Sequence, residues 1–315
     1  GNAPLRAWIA ARLARRGLSV SADDVIITAG AQQALAIATA LALAPGQRVE
    51  VDGASYPAAL DLFRRRGAEL AVAQAVGSIG APRRASAYVM PGIANPRGDG
   101  LPPWRRDALL ASGATLIEDE AYAELRFDGR APRPLAADAR ERTFHVGTFS
   151  KTLCPGLRVG WLVPPRRELA RALAEKRDLD LMSSALAQSV LERFLARDDF
   201  DARLARARRL YEARAATLVA ALRRAFPSFR VSEPEGGFSV LVETGEPGDD
   251  AALLEHATRH GVAFDPGRLF RHDERSSPIA MRVCYALAPP RDLEEGVRRL
   301  ARAWDAYRAS RRRAG

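Results

Sequence analysis

Short apolar runs rich in β-branched residues recur through the first half of the chain, each followed by a helix-like stretch or a loop. The runs fall at residues 25–28, 48–52, 69–76, 87–90, 115–118, 143–148 and 159–163, with amphipathic stretches at 4–16, 32–43 and 57–66. Strands that read as continuous apolar runs are buried on both faces. Alternation with helices therefore predicts an α/β fold, a three-layer arrangement around a mostly parallel sheet. Long helices fill 166–226. Beyond Pro227 the strands are shorter, at 229–232, 239–243, 262–264 and 280–286, with helices at 250–260 and 293–308. This predicts a large domain over 17–205 and a smaller C-terminal α+β domain over 206–315. Residues 1–16 are expected to form a helix packing with the small domain.

Composition narrows the class. An apolar fraction of 47% with 27% charged residues argues against disorder, and 315 residues suffice for a sizeable core. No apolar run approaches the roughly 20 residues that span a bilayer, and no signal peptide opens the sequence. Cys154 and Cys284 cannot make a disulfide framework. A cytoplasmic location with no membrane partner is expected. The net charge of +10 raises the question of nucleic acid. Most arginines, however, alternate with alanines and acids along helices, as solvated faces do. Only Arg311, Arg312 and Arg313 form a dense run, read as a solvated tail, so no direct nucleic-acid binding is expected. Of the 48 basic residues only Lys151 and Lys176 are lysines. Lys176, within a charged helical stretch, reads as solvated.

In open α/β sheets ligands gather at the carboxyl ends of the strands. Gly30 precedes a helix whose first N–H groups, at Ala31 and Gln32, make a phosphate site. The next strand ends present Tyr56, then Asn95, then Asp119 with Tyr122, and finally Thr148, Ser150 and Lys151. Each also has a plain reading. Asn95-Pro96 with Gly98 is a turn on local chemistry, and Asp119 or Glu120 could cap a helix starting at AYAEL. Tyr56 could be a core aromatic, and Lys151 a solvated lysine. Arg282 projects from a strand face shared with Ala280, Cys284 and Ala286. A half-buried guanidinium needs an anion, either a substrate carboxylate or an internal acid. His256 and His260 are spaced i,i+4 without a third ligand, so no metal is expected. Cys154 reads as packing, since no histidine is placed to activate it.

The stretches TAGAQQAL, GASYP, ANPRG, IEDEAYAEL, VGTFSKTLCPGLRVGW, PEGGF and AMRVCYA, in this order, resemble the fold type I pyridoxal-phosphate enzymes of the aminotransferase class I/II group. Within it the chain is similar to the branch of aminoadipate-type aminotransferases and the aminotransferase-like domains of MocR-type regulators. The resemblance implies pyridoxal 5′-phosphate held as a Schiff base on Lys151, which then moves the substrate α-proton. It implies that Asp119 pairs with the pyridine nitrogen, that Asn95 and Tyr122 bond the phenolic oxygen, and that Tyr56 stacks on the ring. Arg158, Thr148 and Ser150 would hold the phosphate with the N–H groups of Ala31 and Gln32. Asn95 and Arg282 would bind the substrate. The implied activity moves an amino group from an L-amino acid to a 2-oxo acid in a homodimer. The alternative is an effector-sensing domain of a MocR/GntR-type transcription regulator. The chain departs from the family pattern at Ala31, where a hydroxyl residue is frequent, and at Asp52 and Ala54, where Glu and Pro are usual. Family members also carry a segment ahead of the match to GNAPLR, so a truncated protein or a fragment of a longer chain is expected.

Overall fold

The computed structural model describes residues 1–73, 85–272 and 278–314. Asn2 opens α1 (Ala3–Arg15): its side chain accepts the Leu5 N–H, and Pro4 sits in the first turn, where no N–H is needed. There follow β1 (Ile26–Thr28), α2 (Ala31–Ala42), β2 (Arg48–Val51), α3 (Pro57–Arg65), β3 (Glu69–Val72), β4 (Ser86–Val89), α4 (Pro103–Ala111) and β5 (Thr115–Asp119). Next come β6 (Thr143–Thr148), β7 (Gly160–Val163), α5 (Leu169–Asp180), α6 (Ala185–Arg197) and α7 (Phe200–Ala225). The chain closes with β8 (Arg230–Val231), β9 (Ser239–Pro247), α8 (Asp250–Arg259), β10 (Asp265–Pro266), β11 (Pro278–Cys284) and α9 (Pro290–Ala314).

The large sheet has the order β1-β7-β6-β5-β4-β2-β3. Strands β2 to β6 pair in parallel, while β7 runs antiparallel to both β6 and β1. The carboxyl ends of β1, β2, β4, β5 and β6 therefore share one edge. That edge is where the strand-end residues converge. The second sheet, β10-β11-β9-β8, is antiparallel and packs with α7, α8 and α9 around Leu218, Val240, Met281, Leu300 and Trp304.

Several expectations are corrected. Helix α1 belongs to the large domain's core, not to the small domain: Leu5, Ile9 and Leu13 are buried in the cluster that holds Ile27, Leu35 and Phe144. Trp8 seals the contact against Phe149 and Phe200, at 5.8 and 5.4 Å between ring centroids. AYAEL makes a single 3-10 turn (Ala123–Leu125) instead of a helix. The chain is drawn away by Phe127, whose N–H donates to Glu235 O, and by the bridge between Arg126 and Gly236. Residues 262–264 form no strand; Val262 N–H closes the end of α8 on Ala257 O, past Gly261 at φ +73°, so β10 starts later. Of the run expected at 69–76, residues 74–76 lie outside the described residues. Lys176 is not solvated: it shares the inward face of α5 with Ala172 and pairs with Asp180 one turn on. Arg12, Arg16 and Arg105 are likewise enclosed, each paired with a glutamate. Cys154 does not pack, because its side chain is exposed. Among the described residues no helix is long and apolar enough to cross a membrane, and no group of three or more His, Cys, Asp or Glu is placed to hold a metal.

Docking of α1 onto the large core has a measurable consequence. Leu5 is fully buried and Leu287 is 94% exposed. Leu5→Ala should lower the free energy of unfolding by about 2–5 kcal/mol in urea titrations, whereas Leu287→Ala should stay within about 0.5 kcal/mol of the parent. Equal effects would mean that α1 is not part of the core.

Candidate active site

Three strands meet closely behind the N-terminus of α2. A Cβ on Gly160 would stand 2.7 Å from Gly30 C, 2.8 Å from Gly147 O and 2.9 Å from Ala31 N, so β7 approaches β1 and β6 only with glycine there. Gly30 caps α2 at φ +87° and supplies no side-chain cap. The first N–H groups of the helix, including those of Ala31 and Gln32, have no intrahelical acceptor and face an anion-binding position. Arg158 lies across this end in the left-handed region, at φ +51°. Its Nη2 donates to Ala29 O at 3.1 Å and its Nη1 to Ser150 Oγ at 3.2 Å. Ser150 N–H in turn donates to Thr148 Oγ1 at 3.1 Å. Among the described residues no carboxylate pairs with Arg158. Helix dipole, guanidinium and two hydroxyls thus converge on a place suited to a phosphate.

Beyond the anion position, β5 ends in Asp119, which is 2% exposed. Its Oδ2 accepts from Tyr88 Oη at 2.9 Å and its Oδ1 from Ala121 N–H at 3.0 Å. Burial pushes its carboxyl above the usual range, while these two donors and the Lys151 charge pull it back. Asn95 is 7% exposed, and its Oδ1 is buried with no hydrogen-bond partner among the described residues. Lys151 Nζ stands 5.4 Å from the centre of the Tyr122 ring. Burial lowers the amine's pKa, the Arg282 charge adds to the drop, and Asp119 opposes it. Burial also raises the Tyr122 and Tyr56 hydroxyls.

Ala31, Gln32, Tyr56, Asn95, Asp119, Tyr122, Thr148, Ser150, Lys151 and Arg158 all line one cavity of about 120 Å³, with Met90, Ala121 and Pro155. Arg282 stands apart, on the small sheet. Its Nε donates to Ser239 Oγ at 3.0 Å, and Ser239 Oγ donates to Pro96 O at 3.3 Å, which ties the guanidinium to the Asn95-Pro96 turn. The residues fit pyridoxal 5′-phosphate. An anion cradle, a buried carboxylate with only neutral donors, an orphaned amide oxygen and an amine of lowered pKa surround a single cavity.

The sequence profile of the family described as aminotransferase class I and II matches residues 1–300. The chain belongs to this family. It is similar to the 2-aminoadipate transaminase of Thermus thermophilus, 33% identical over 96% of this chain and 79% of that protein. It is also 31% identical to the HTH-type transcriptional regulator TauR of Rhodobacter capsulatus, over 92% of this chain but only 62% of the regulator. The solved alpha-aminoadipate aminotransferase of Thermus thermophilus, complexed with N-(5'-phosphopyridoxyl)-L-leucine, superposes with a TM-score of 0.87 at 32% identity. That alignment covers 98% of this chain and 82% of the other.

A larger cavity of about 700 Å³ lies among Gly53, Arg97, Asp99, Arg230 and Glu243. Two of its arginines are paired within the wall, Arg97 with Asp99 and Arg271 with Glu243, and size alone does not make it the site. Two members of this aminotransferase-family site escaped the sequence reading. Tyr88 holds Asp119 from β4, and the signal was a phenol inside a buried strand, which needs a partner. Ser239 holds Arg282 from the neighbouring strand, which only the register of β9 and β11 reveals. Arginines of α1 brace the same segment from behind: Arg16 Nη2 donates to Glu120 Oε1 at 2.6 Å, and Arg12 pairs with Glu124.

The buried carboxylate predicts a pH effect on the cofactor-free protein. Because the folded-state pKa of Asp119 is raised, the native state holds this proton more tightly than the unfolded chain. Stability from the group is present at low pH and is lost as pH rises through the raised value. Asp119→Asn removes that titration and leaves Tyr88 and Ala121 a partner. Its thermal midpoint should exceed the parent's at about pH 7 and match it at about pH 3. Calorimetry across pH checks this; an Asn variant less stable at neutral pH would mean that a cation already balances Asp119.

Proposed function

We propose that this chain is a pyridoxal-phosphate-dependent aminotransferase, which moves an amino group from an L-amino acid to a 2-oxo acid. The observation that carries the reading is Lys151: a half-buried amine of lowered pKa shares a cavity with the buried carboxylate of Asp119 and an anion cradle. When bound, the cofactor supplies a covalent attachment for the amino nitrogen and an electron-withdrawing ring that makes the substrate Cα–H acidic. Lys151 would hold the cofactor and, as a free amine, would take the Cα proton on Nζ. A guanidinium cannot do this, since it stays protonated throughout. Asp119 keeps the ring nitrogen protonated, and its own burial penalty is relieved by that cation. Asn95 and Tyr122 would bond the phenolic oxygen, and Tyr56 would stack on the ring. Ala31, Gln32, Thr148, Ser150 and Arg158 hold the phosphate. Arg282 and Asn95 orient the substrate carboxylate so that the α-hydrogen faces Lys151.

The test is turnover of single L-amino acids with a 2-oxo acid by the cofactor-loaded protein, the new amino acid being read by chromatography. Lys151→Arg should lose the visible absorbance of the attached cofactor and reduce turnover by about a thousandfold or more. Retained absorbance would refute the assignment of Lys151. A second reading, an effector-sensing domain of a transcription regulator, is supported by the likeness to TauR. Binding of amino acids with no oxo acid released would favour it. Two exposed thiols, Cys154 and Cys284, suit a reducing compartment, and we place the protein in the cytoplasm.

The assembly we propose is a homodimer. Leu181 and Met182, in the connection between α5 and α6, and Leu186 and Val190, on the first turns of α6, stand 82%, 66%, 76% and 51% exposed, an apolar patch of the kind that pairing covers. Light scattering after gel filtration should give twice the 34.2 kDa chain mass. Leu186→Glu with Met182→Glu should shift it to the single-chain value. A parent protein of single-chain mass would overturn the dimer.

A further inference from the structure

The guanidinium assigned to the substrate carboxylate is already engaged. Asp265 and Arg282 are directly opposed across β10 and β11, so their side chains stand side by side on one face of the small sheet. Arg282 Nη1 donates to Asp265 Oδ2 at 2.6 Å, and Nε donates to Ser239 Oγ at 3.0 Å. A bidentate grip on a carboxylate needs two neighbouring nitrogens, Nη1 with Nη2 or Nε with Nη2. Either pair includes one that is taken.

The two occupants differ in how easily they leave. Ser239 is 5% exposed and held to Pro96 O, and its hydroxyl is neutral. Asp265 has a side chain 49% exposed, and among the described residues its carboxylate is held by Arg282 alone. A half-exposed ion pair is weak, and a carboxylate that turns outward regains its water. Arg282 cannot follow it. Its side chain is only 16% exposed, Ser239 fixes Nε, and the Phe270 ring lies 5.8 Å from its guanidinium carbon.

Resting on the reading of Arg282 above, we propose that Asp265 is a tethered stand-in for the substrate carboxylate. It occupies the Arg282 end of the site while no substrate is bound, and rotates into solvent when an α-carboxylate arrives. One carboxylate replaces another, so the charge seen by Lys151 stays nearly constant through binding. Any acid that docks on Arg282 must break the same pair, so the cost falls on all carboxylate substrates alike, as uniform binding.

The test is isothermal titration calorimetry of the cofactor-loaded protein with propionate, a carboxylate with no amino group to react, and with propionamide as the uncharged control. Asp265→Asn should tighten propionate by about five- to tenfold and leave propionamide unchanged. Arg282→Gln should abolish propionate binding. Asp265→Ser gives the same readout if the Asn variant folds poorly. Unchanged or weaker propionate binding in both Asp265 variants, with loss in Arg282→Gln, would overturn the stand-in and leave the reading of Arg282 intact. Propionate binding that survives Arg282→Gln would instead sink that reading itself.

Discussion

A carboxylate buried at the end of β5, hydrogen-bonded to neutral donors alone, is the constraint around which the site is arranged. Asp119 is out of water, and its two recorded donors, Tyr88 Oη and Ala121 N–H, are neutral. The neutral donors and the charge of Lys151 offset part of the desolvation, and a further positive charge in the cavity would relieve more of it. The sheet makes such a burial affordable, because strands β4 and β6 flank β5 and fix its backbone on both sides. With the role proposed for Asp119, a ring cation would relieve the remaining penalty, and cofactor binding would be linked to the stability of the large sheet.

The same segment is held from behind. On β5 successive side chains alternate faces, so Glu118 and Glu120 point away from Asp119. Glu118 accepts from the N–H groups of Leu135 and Ala136 and meets His145 Nδ1 at 3.0 Å. Glu120 takes Arg16, and Glu124 takes Arg12. Arg12 lies on α1 and Arg16 caps its end, four residues on, and their two glutamates flank Tyr122. The helix therefore packs its apolar face into the core and grips the segment that carries Asp119 and Tyr122. Expecting α1 on the small domain missed this, because an amphipathic pattern reports that a face is buried and not against what.

Much of the site was legible because a parallel sheet writes its active edge into sequence order. Each apolar run ends at the same side of the molecule, so Tyr56, Asn95, Asp119 and Lys151 could be gathered without coordinates. Their convergence on one cavity is a consequence of strand direction alone. What was illegible depends on register or on the identity of a neighbour. Asp265 faces Arg282 because β10 starts after the cap of α8, three residues later than the strand expected at 262–264. Tyr88 reads as one more core aromatic until β5 is laid beside β4. The 3-10 turn at Ala123–Leu125 has helix-forming residues, but pairing of Arg126 and Phe127 with the Gly236 region wins over local propensity.

The exchange of lysine for arginine separates surface habit from chemical need. On exposed helices the two cations are nearly equivalent, and arginine has replaced lysine there. The two lysines that remain are both enclosed. Lys176 meets Asp180 on the inward face of α5, where a compact ammonium fits beneath α2. Lys151 stands in a cavity whose use depends on losing a proton near neutral pH. Burial and the charge of Arg282 lower its pKa, which a guanidinium placed there could not exploit. Where an arginine is buried instead, as with Arg16 beside Glu120 and Arg105 beside Glu50, the requirement is a permanent charge next to a carboxylate, and that charge is never given up. Composition alone carried no such distinction; enclosure and the need to titrate do.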